Sequence, residues 1–200
     1  MSENSVLKKK SLGILMHPSS LPGGFENGTF GENAKAWIEK LSKYGLDYWQ
    51  FLPLTPTDST GSPYSSPSSF ALNPWFLDIN KLIEKKYIFV SNIEELGVKK
   101  NNKNYFDFKK ADSLSKELGK YLLKAWDSQS DQRKNIFYKW IRKNLWVEDY
   151  SIFMVMREEF NMQPWWQWPL EFKQKNIELL TSWIEKNHEA ILIKKLIQWH

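Results

Sequence analysis

Few side chains in this sequence are suited to bond-making chemistry, and most of those are carboxylates. Two carboxyl groups facing each other across roughly 5–10 Å can act as acid and nucleophile, or acid and base, on an acetal. The candidates are Asp47, Asp58 and Asp78, with the pairs Glu148-Asp149 and Glu158-Glu159. Asp58 lies among Pro, Thr, Ser and Gly, the surroundings of a turn-forming carboxylate. Asp47 falls in a helix-to-strand turn, at the end of a sheet where ligands do not bind. Both acidic pairs fall on helical stretches and read as solvated faces. Nothing presents two carboxylates from convergent strand ends. His17 closes an apolar run, and it can hydrogen-bond a ligand or hold a loop through backbone groups. His188 and His200 lack metal-ligand spacing. There is no cysteine, so disulfides and thiolate chemistry are excluded. No Gly-rich phosphate loop or nucleophile elbow occurs.

Residues suited to holding a ligand are better represented. The stretch from Thr60 to Trp75 reads TGSPYSSPSSFALNPW. Its prolines fix dihedral angles, Tyr64 offers a flat ring with a polar tip, and its serines offer hydroxyls. A Ser/Pro linker, a phosphorylation target and a ligand-lining loop share this composition. Eleven tryptophans are present, more than a core of this size requires. Trp165, Trp166 and Trp168 can stack on sugar rings or pack between helices, and their spacing does not choose.

The elements that carry these residues follow from periodicity. Leu12 to Met16 and Tyr48 to Leu52 are short apolar runs that read as buried strands. Between them, Ala34, Trp37, Ile38, Leu41 and Tyr44 give the apolar stripe of a helix from about Glu32 to Tyr44, ended by Gly45. Strand, helix and short return make a parallel βαβ unit. The loops 18–31 and 53–75 then leave the C-terminal strand ends, where parallel α/β folds place ligands. Asp78 caps a short helix near Ile79 to Lys86. Residues 87–105 look irregular, with a surface turn at Asn101 to Asn104. From 107 onward the pattern is helical, closing with one helix through Ile177 to Leu196.

Composition narrows the class. Net charge is +5 and the pI is near 9.1. The lysines are scattered and no arginine-rich stripe occurs, so the charge reads as a solvated surface and no nucleic-acid partner is expected. No apolar stretch approaches the roughly 20 residues of a membrane span. No targeting segment is recognisable, and a cytoplasmic location is expected.

The motifs add a resemblance. Residues 13–23, GILMHPSSLPG, are similar to the G-[IVL]-L-L-H-P-T-S-L-P-G of the 4-α-glucanotransferases (amylomaltases, disproportionating enzymes). Residues 49–56, WQFLPLTP, resemble W-Q-x-L-P-L-x-P. Residues 62–74, SPYSSPSSFALNP, resemble S-P-Y-Q-x-x-S-x-F-A-G-N-P. Ser19, Ser65 and Leu72 depart from that pattern at its usual Thr, Gln and Gly. Residues 146–153, WVEDYSIF, and 165–169, WWQWP, resemble the helical insertion of that family.

The resemblance implies an α/β fold, the first strands and helices of a (β/α)8 TIM barrel of the α-amylase-like type with a mainly helical inserted subdomain. The expected division is a disordered N-terminus at 1–10, the start of the barrel at 11–90 and the helical subdomain at 91–200. The implied activity transfers a segment of a 1,4-α-glucan to the 4-hydroxyl of glucose or another glucan, with no cofactor and no metal. Ser62 and Tyr64 are the implied substrate-binding residues. The family's catalytic carboxylates lie in R-x-D-H, E-D-L-G and T-H-D motifs on later strands, and none occurs here. Two parallel strands cannot satisfy both sheet edges, and a full barrel takes about 250 residues. We therefore expect the front part of a larger enzyme, inactive as these 200 residues alone. A non-catalytic α-glucan-binding remnant and a helical scaffold are the rival readings.

Overall fold

The structure, a computed structural model, describes residues 10–58, 60–98 and 107–200. The N-terminal nine residues, and the 99–105 part of the stretch expected to be irregular with its Asn101–Asn104 turn, lie outside the described residues.

Strands β1 (Gly13–Leu15) and β2 (Tyr48–Gln50) pair in parallel, with Gly13 opposite Tyr48, Ile14 opposite Trp49 and Leu15 opposite Gln50. Helix α1 (Glu32–Lys43) makes the crossover and buries Ala34 and Leu41. Gly45, at φ +73°, supplies the left-handed residue that turns the chain back into β2. The strands are only three residues long, and their central residues alone are partly covered. The expectation of buried strands is therefore corrected. Leu12, Leu15, Tyr48 and Phe51 remain 40–63% exposed, because each strand has one neighbour and no second layer of described residues covers them.

The helical part holds the expected short helix and one more that periodicity did not predict. Helix α2 (Ile79–Glu84) is capped by the Asp78 carboxylate, which accepts from the Asn80 N–H at 3.0 Å. Helix α3 (Val90–Glu95) lies inside the stretch read as irregular. It is too short for a periodic stripe, and its cap is unusual: the Asn92 side chain accepts from the Phe89 N–H at 2.9 Å. Helices α4 (Phe108–Trp126), α5 (Asp131–Lys143) and α6 (Trp146–Glu159) follow, then the short α7 (Leu170–Lys173). The expected single last helix is two, α8 (Ile177–Lys186) and α9 (His188–Trp199). They break at Asn187, whose side-chain amide donates to the Trp183 carbonyl at 2.9 Å and competes with the helical ladder.

Two apolar cores hold this part. One gathers Leu77, Ile79 and Leu82 with Ile88 and Ile93, against Leu114, Leu118 and Leu122 of α4, Phe137 of α5, and Leu196 and Ile197 of α9. Each fully buried side chain of this size stabilises by about 1.5–3 kcal/mol. The other gathers Val155 and Met156 of α6, Trp168, Trp183 of α8 and Ile191 of α9. Helix α9 thus belongs to both. It is also tied to α6 by Lys194–Glu158 at 2.6 Å and Lys195–Glu148 at 2.5 Å. Among the described residues, no helix is long and apolar enough to cross a membrane.

Candidate functional site

Both strand-end loops are built from their own side chains. In the first, the His17 Nδ1 accepts from the Ser19 N–H at 3.4 Å and sits 2.8 Å from the Ser19 hydroxyl, capping a single turn at Pro18–Ser20. Burial pushes the His17 imidazole below its usual pKa, while the Pro53 backbone pulls it up. Its ring leans on Phe76 at 5.5 Å. Of the two roles open from sequence, these bonds give the loop-holding one. Gly28 packs so tightly that an added Cβ would fall 2.1 Å from the Pro18 carbonyl oxygen.

The second loop is a series of closed turns. Asn73 N–H donates to the Leu54 carbonyl at 2.8 Å and shuts the base. Asp58 accepts from the Thr60 N–H at 2.9 Å and the Thr60 hydroxyl at 2.5 Å, and its own N–H donates to the Ser65 carbonyl at 2.9 Å. The Thr60 and Ser65 side chains hold its carboxyl below the usual carboxylate range. Asp58 is therefore the turn-former that its neighbours predicted. Gly61, at φ +74°, lies against the Phe108 ring. Ser62 Oγ accepts from the Tyr64 N–H at 3.3 Å, and the Ser65 N–H donates to the Ser62 carbonyl at 3.2 Å. Ser66 and Ser68 are spent in the same way, with Ser68 Oγ accepting from Phe70 and Ala71. The hydroxyls expected to face a ligand thus first serve the loop itself. Tyr64 stands out from this frame, 75% exposed, two residues from Ser62. The structure brings these two predicted residues together on one turn.

The other candidates are separated. Asp47 accepts from the Leu12 N–H at 3.2 Å, at the opposite end of the strands from the loops. Asp78 is a helix cap. Glu148, Glu158 and Glu159 are not merely solvated: the first two bind Lys195 and Lys194, and Glu159 accepts from Trp183 Nε1 at 2.7 Å. The tryptophan cluster splits. Trp168 is buried with its ring tilted against Phe153 and Phe160, whereas Trp165 and Trp166 are 54% and 61% exposed. Among the described residues, no three His, Asp or Glu side chains group as a metal site.

Sequence reading missed the supports of the second loop. Phe108 of α4 underlies Gly61, Trp146 of α6 stacks on Phe70 with centroids 6.2 Å apart and planes 23° from parallel, and Gln198 of α9 bonds Leu72. Local spacing carries no trace of pairs so distant in the chain. A cleft of about 300 Å³ lies between the first loop, the 74–80 segment and α4, with Trp75 and Leu114 in its wall and Glu26, Asn33 and Asp78 also lining it.

A family model described as 4-alpha-glucanotransferase matches residues 16–200. A 4-alpha-glucanotransferase of Clostridium butyricum is 35% identical over 188 residues, covering 92% of this chain and 37% of that protein. One from Thermus thermophilus is 31% identical, covering 95% of this chain and 37% of that protein. The solved amylomaltase from Streptococcus agalactiae, in complex with acarbose, superposes with a TM-score of 0.86 at 25% identity, over 96% of this chain and 38% of that one. The chain therefore spans less than two fifths of the length of these relatives. With the family model matching all but the first fifteen residues and the backbone matching a solved amylomaltase, this chain belongs to the 4-alpha-glucanotransferase family.

Proposed function

We propose that this chain supplies the sugar-holding front of a 4-α-glucanotransferase. The reaction moves a segment of a 1,4-α-glucan onto the 4-hydroxyl of glucose or another glucan. It proceeds by retaining double displacement: a carboxylate takes the anomeric carbon while a carboxylic acid protonates the leaving oxygen, and an acceptor sugar then replaces the enzyme. The sheet of β1 and β2 is, in this reading, the start of a (β/α)8 barrel, with residues 91–200 as its helical insertion. The compartment is the cytoplasm.

Ser62 and Tyr64 hold glucan, and one observation carries that assignment. Tyr64 is a large aromatic ring left in solvent on a loop that is otherwise hydrogen-bonded turn by turn. A ring presented rigidly loses little entropy when a pyranose lies on it. The carboxylates weighed as candidates are occupied elsewhere: Asp47 and Asp58 in turns, Asp78 as a helix cap, and Glu148 and Glu158 in ion pairs. In this reading the catalytic carboxylates belong to later strands, so this chain alone performs no transfer.

Two measurements test the reading. Incubation of the 200-residue chain with maltotriose should yield no longer maltooligosaccharides, and robust disproportionation would overturn the assignment of catalysis elsewhere. Calorimetric titration with maltoheptaose should show binding that Tyr64→Ala weakens by about tenfold, roughly 1.4 kcal/mol. A Tyr64→Ala chain that binds like the parent would sink the sugar-holding role.

A further inference from the structure

Resting on the reading that the 53–75 loop holds glucan, we propose that Gln198 is a positioning residue, the latch through which α9 sets the Ser62–Tyr64 turn. The Leu72 N–H donates to Gln198 Oε1 at 3.0 Å, and Gln198 Nε2 donates back to the Leu72 carbonyl at 2.8 Å. The two residues are 126 positions apart. Of the uncharged side chains that reach this far, a primary amide is the one that offers a donor and an acceptor side by side. The pair copies a backbone-to-backbone bridge with a side chain as one partner.

The backbone on either side of Leu72 leaves no slack. Ala71 is fully buried, and its N–H is taken by Ser68 Oγ. The Asn73 N–H is taken by Leu54. From Ala71 the chain returns to Tyr64 through the turns closed by Ser68, Ser66 and Ser62. A shift at Leu72 is therefore passed along the turns to Tyr64. The other partner is equally fixed, since Ile191, Leu196 and Ile197 seat α9 in both cores. Phe70, stacked on Trp146, adds a second contact beside the latch without fixing its direction.

The Leu72 bonds lie at the surface. Water can replace them at little cost to the fold, but a solvent molecule is not tethered to α9. Loss of the latch should therefore change where the loop sits and leave global stability almost untouched. If the competent position becomes a minor fraction of the population, apparent affinity falls by that fraction.

The test uses the 200-residue chain with maltoheptaose as the probe, and hydrogen–deuterium exchange of the free chain. Gln198→Leu should weaken binding by about three- to tenfold, speed exchange at Leu72 and across 62–65, and keep the parent melting temperature. Gln198→Glu keeps the acceptor and loses the donor, and should fall between. Parental affinity and parental exchange in Gln198→Leu would overturn the latch while leaving the sugar-holding role of Tyr64 standing. Binding unaffected by Tyr64→Ala would instead sink the sugar-holding reading, and exchange at 62–65 in Gln198→Leu would still decide the latch. A parent chain that binds no maltoheptaose would sink the sugar-holding reading, and parental exchange at 62–65 in Gln198→Leu would then overturn the latch as well.

Discussion

Asn27 and Trp75 join the two strand-end loops through one buried side chain. The Asn27 amide donates to the Trp75 carbonyl at 2.7 Å and to the Gly28 carbonyl at 2.8 Å, although Trp75 lies 48 residues away. Both loops that leave the sheet are thereby set relative to each other before any ligand arrives. Replacement by Leu fills the space but leaves two carbonyls without this partner. We expect Asn27→Leu to cost about 1–3 kcal/mol in urea denaturation. A change below about 0.5 kcal/mol would mean that water enters and takes over the bonds.

Gly119 lies where α4 crosses α9. A Cβ there would sit 2.7 Å from Ile193 Cγ2 and 3.0 Å from Ile197 Cδ1. Alanine would gain about 1 kcal/mol of helix propensity and lose part of it to the clash. A β-branched residue gains less and intrudes further, so Gly119→Val should destabilise by about 1–3 kcal/mol. Equal stability in thermal and chemical melts would show that α9 can move aside.

The tryptophans of the 165–168 turn should separate by stability. Trp168→Ala empties a buried site and also strands the Gln163 carbonyl, which accepts from Trp168 Nε1 at 3.0 Å. Its cost should be about 3–5 kcal/mol. Trp165→Ala and Trp166→Ala remove side chains already more than half in solvent. Each should stay within about 0.5 kcal/mol of the parent. Equal losses in all three would contradict the described packing.

The chain should weaken in mild acid. His200 is lowered to about 4, first by burial and then by Lys85 and Arg133, with its ring against Tyr87 at 4.2 Å. His17 is lowered too, again by burial. A histidine near 6.5 when unfolded binds a proton that the folded site refuses. The unfolded chain therefore holds more protons between about pH 6.5 and 4, so stability is full above that window and falls as the pH drops through it. Denaturation at pH 7.0 and 5.5, where most carboxylates stay ionised, should show the loss, and His200→Phe should flatten it. A slope of the opposite sign would mean that His200 is charged in the folded chain.

Local chemistry was readable from sequence where neighbours decide it. Asp78 as a helix cap, Gly45 as a left-handed turn and Asp58 as a turn-former all depend on residues within four positions. The parallel pairing of β1 with β2 was legible for a different reason: a helix between two short apolar runs forces a parallel crossover. Side-chain contacts between distant segments were not. No periodicity marks Gln198 as the partner of Leu72 or Trp146 as that of Phe70, because each pair meets only after the cores assemble. Burial of the strands was misjudged because an apolar run states what a segment can cover, not whether anything covers it. The local bonds of the serine hydroxyls were not foreseen either, because composition does not say that Ser62, Ser66 and Ser68 each bond the backbone of their own loop.

That bare sheet has a practical consequence. Leu12, Leu15, Tyr48 and Phe51 lie in solvent beside two strands whose outer edges carry no partner among the described residues. Ile38 and Tyr44 of α1 are exposed as well. Such a surface is adhesive: it collects copies of itself, chaperones and hydrophobic dyes. The concentration at which the chain is handled therefore governs what is observed, and a dilution series belongs beside every titration. Charged residues at Leu12 and Leu15 would make the surface easier to handle without touching either strand-end loop.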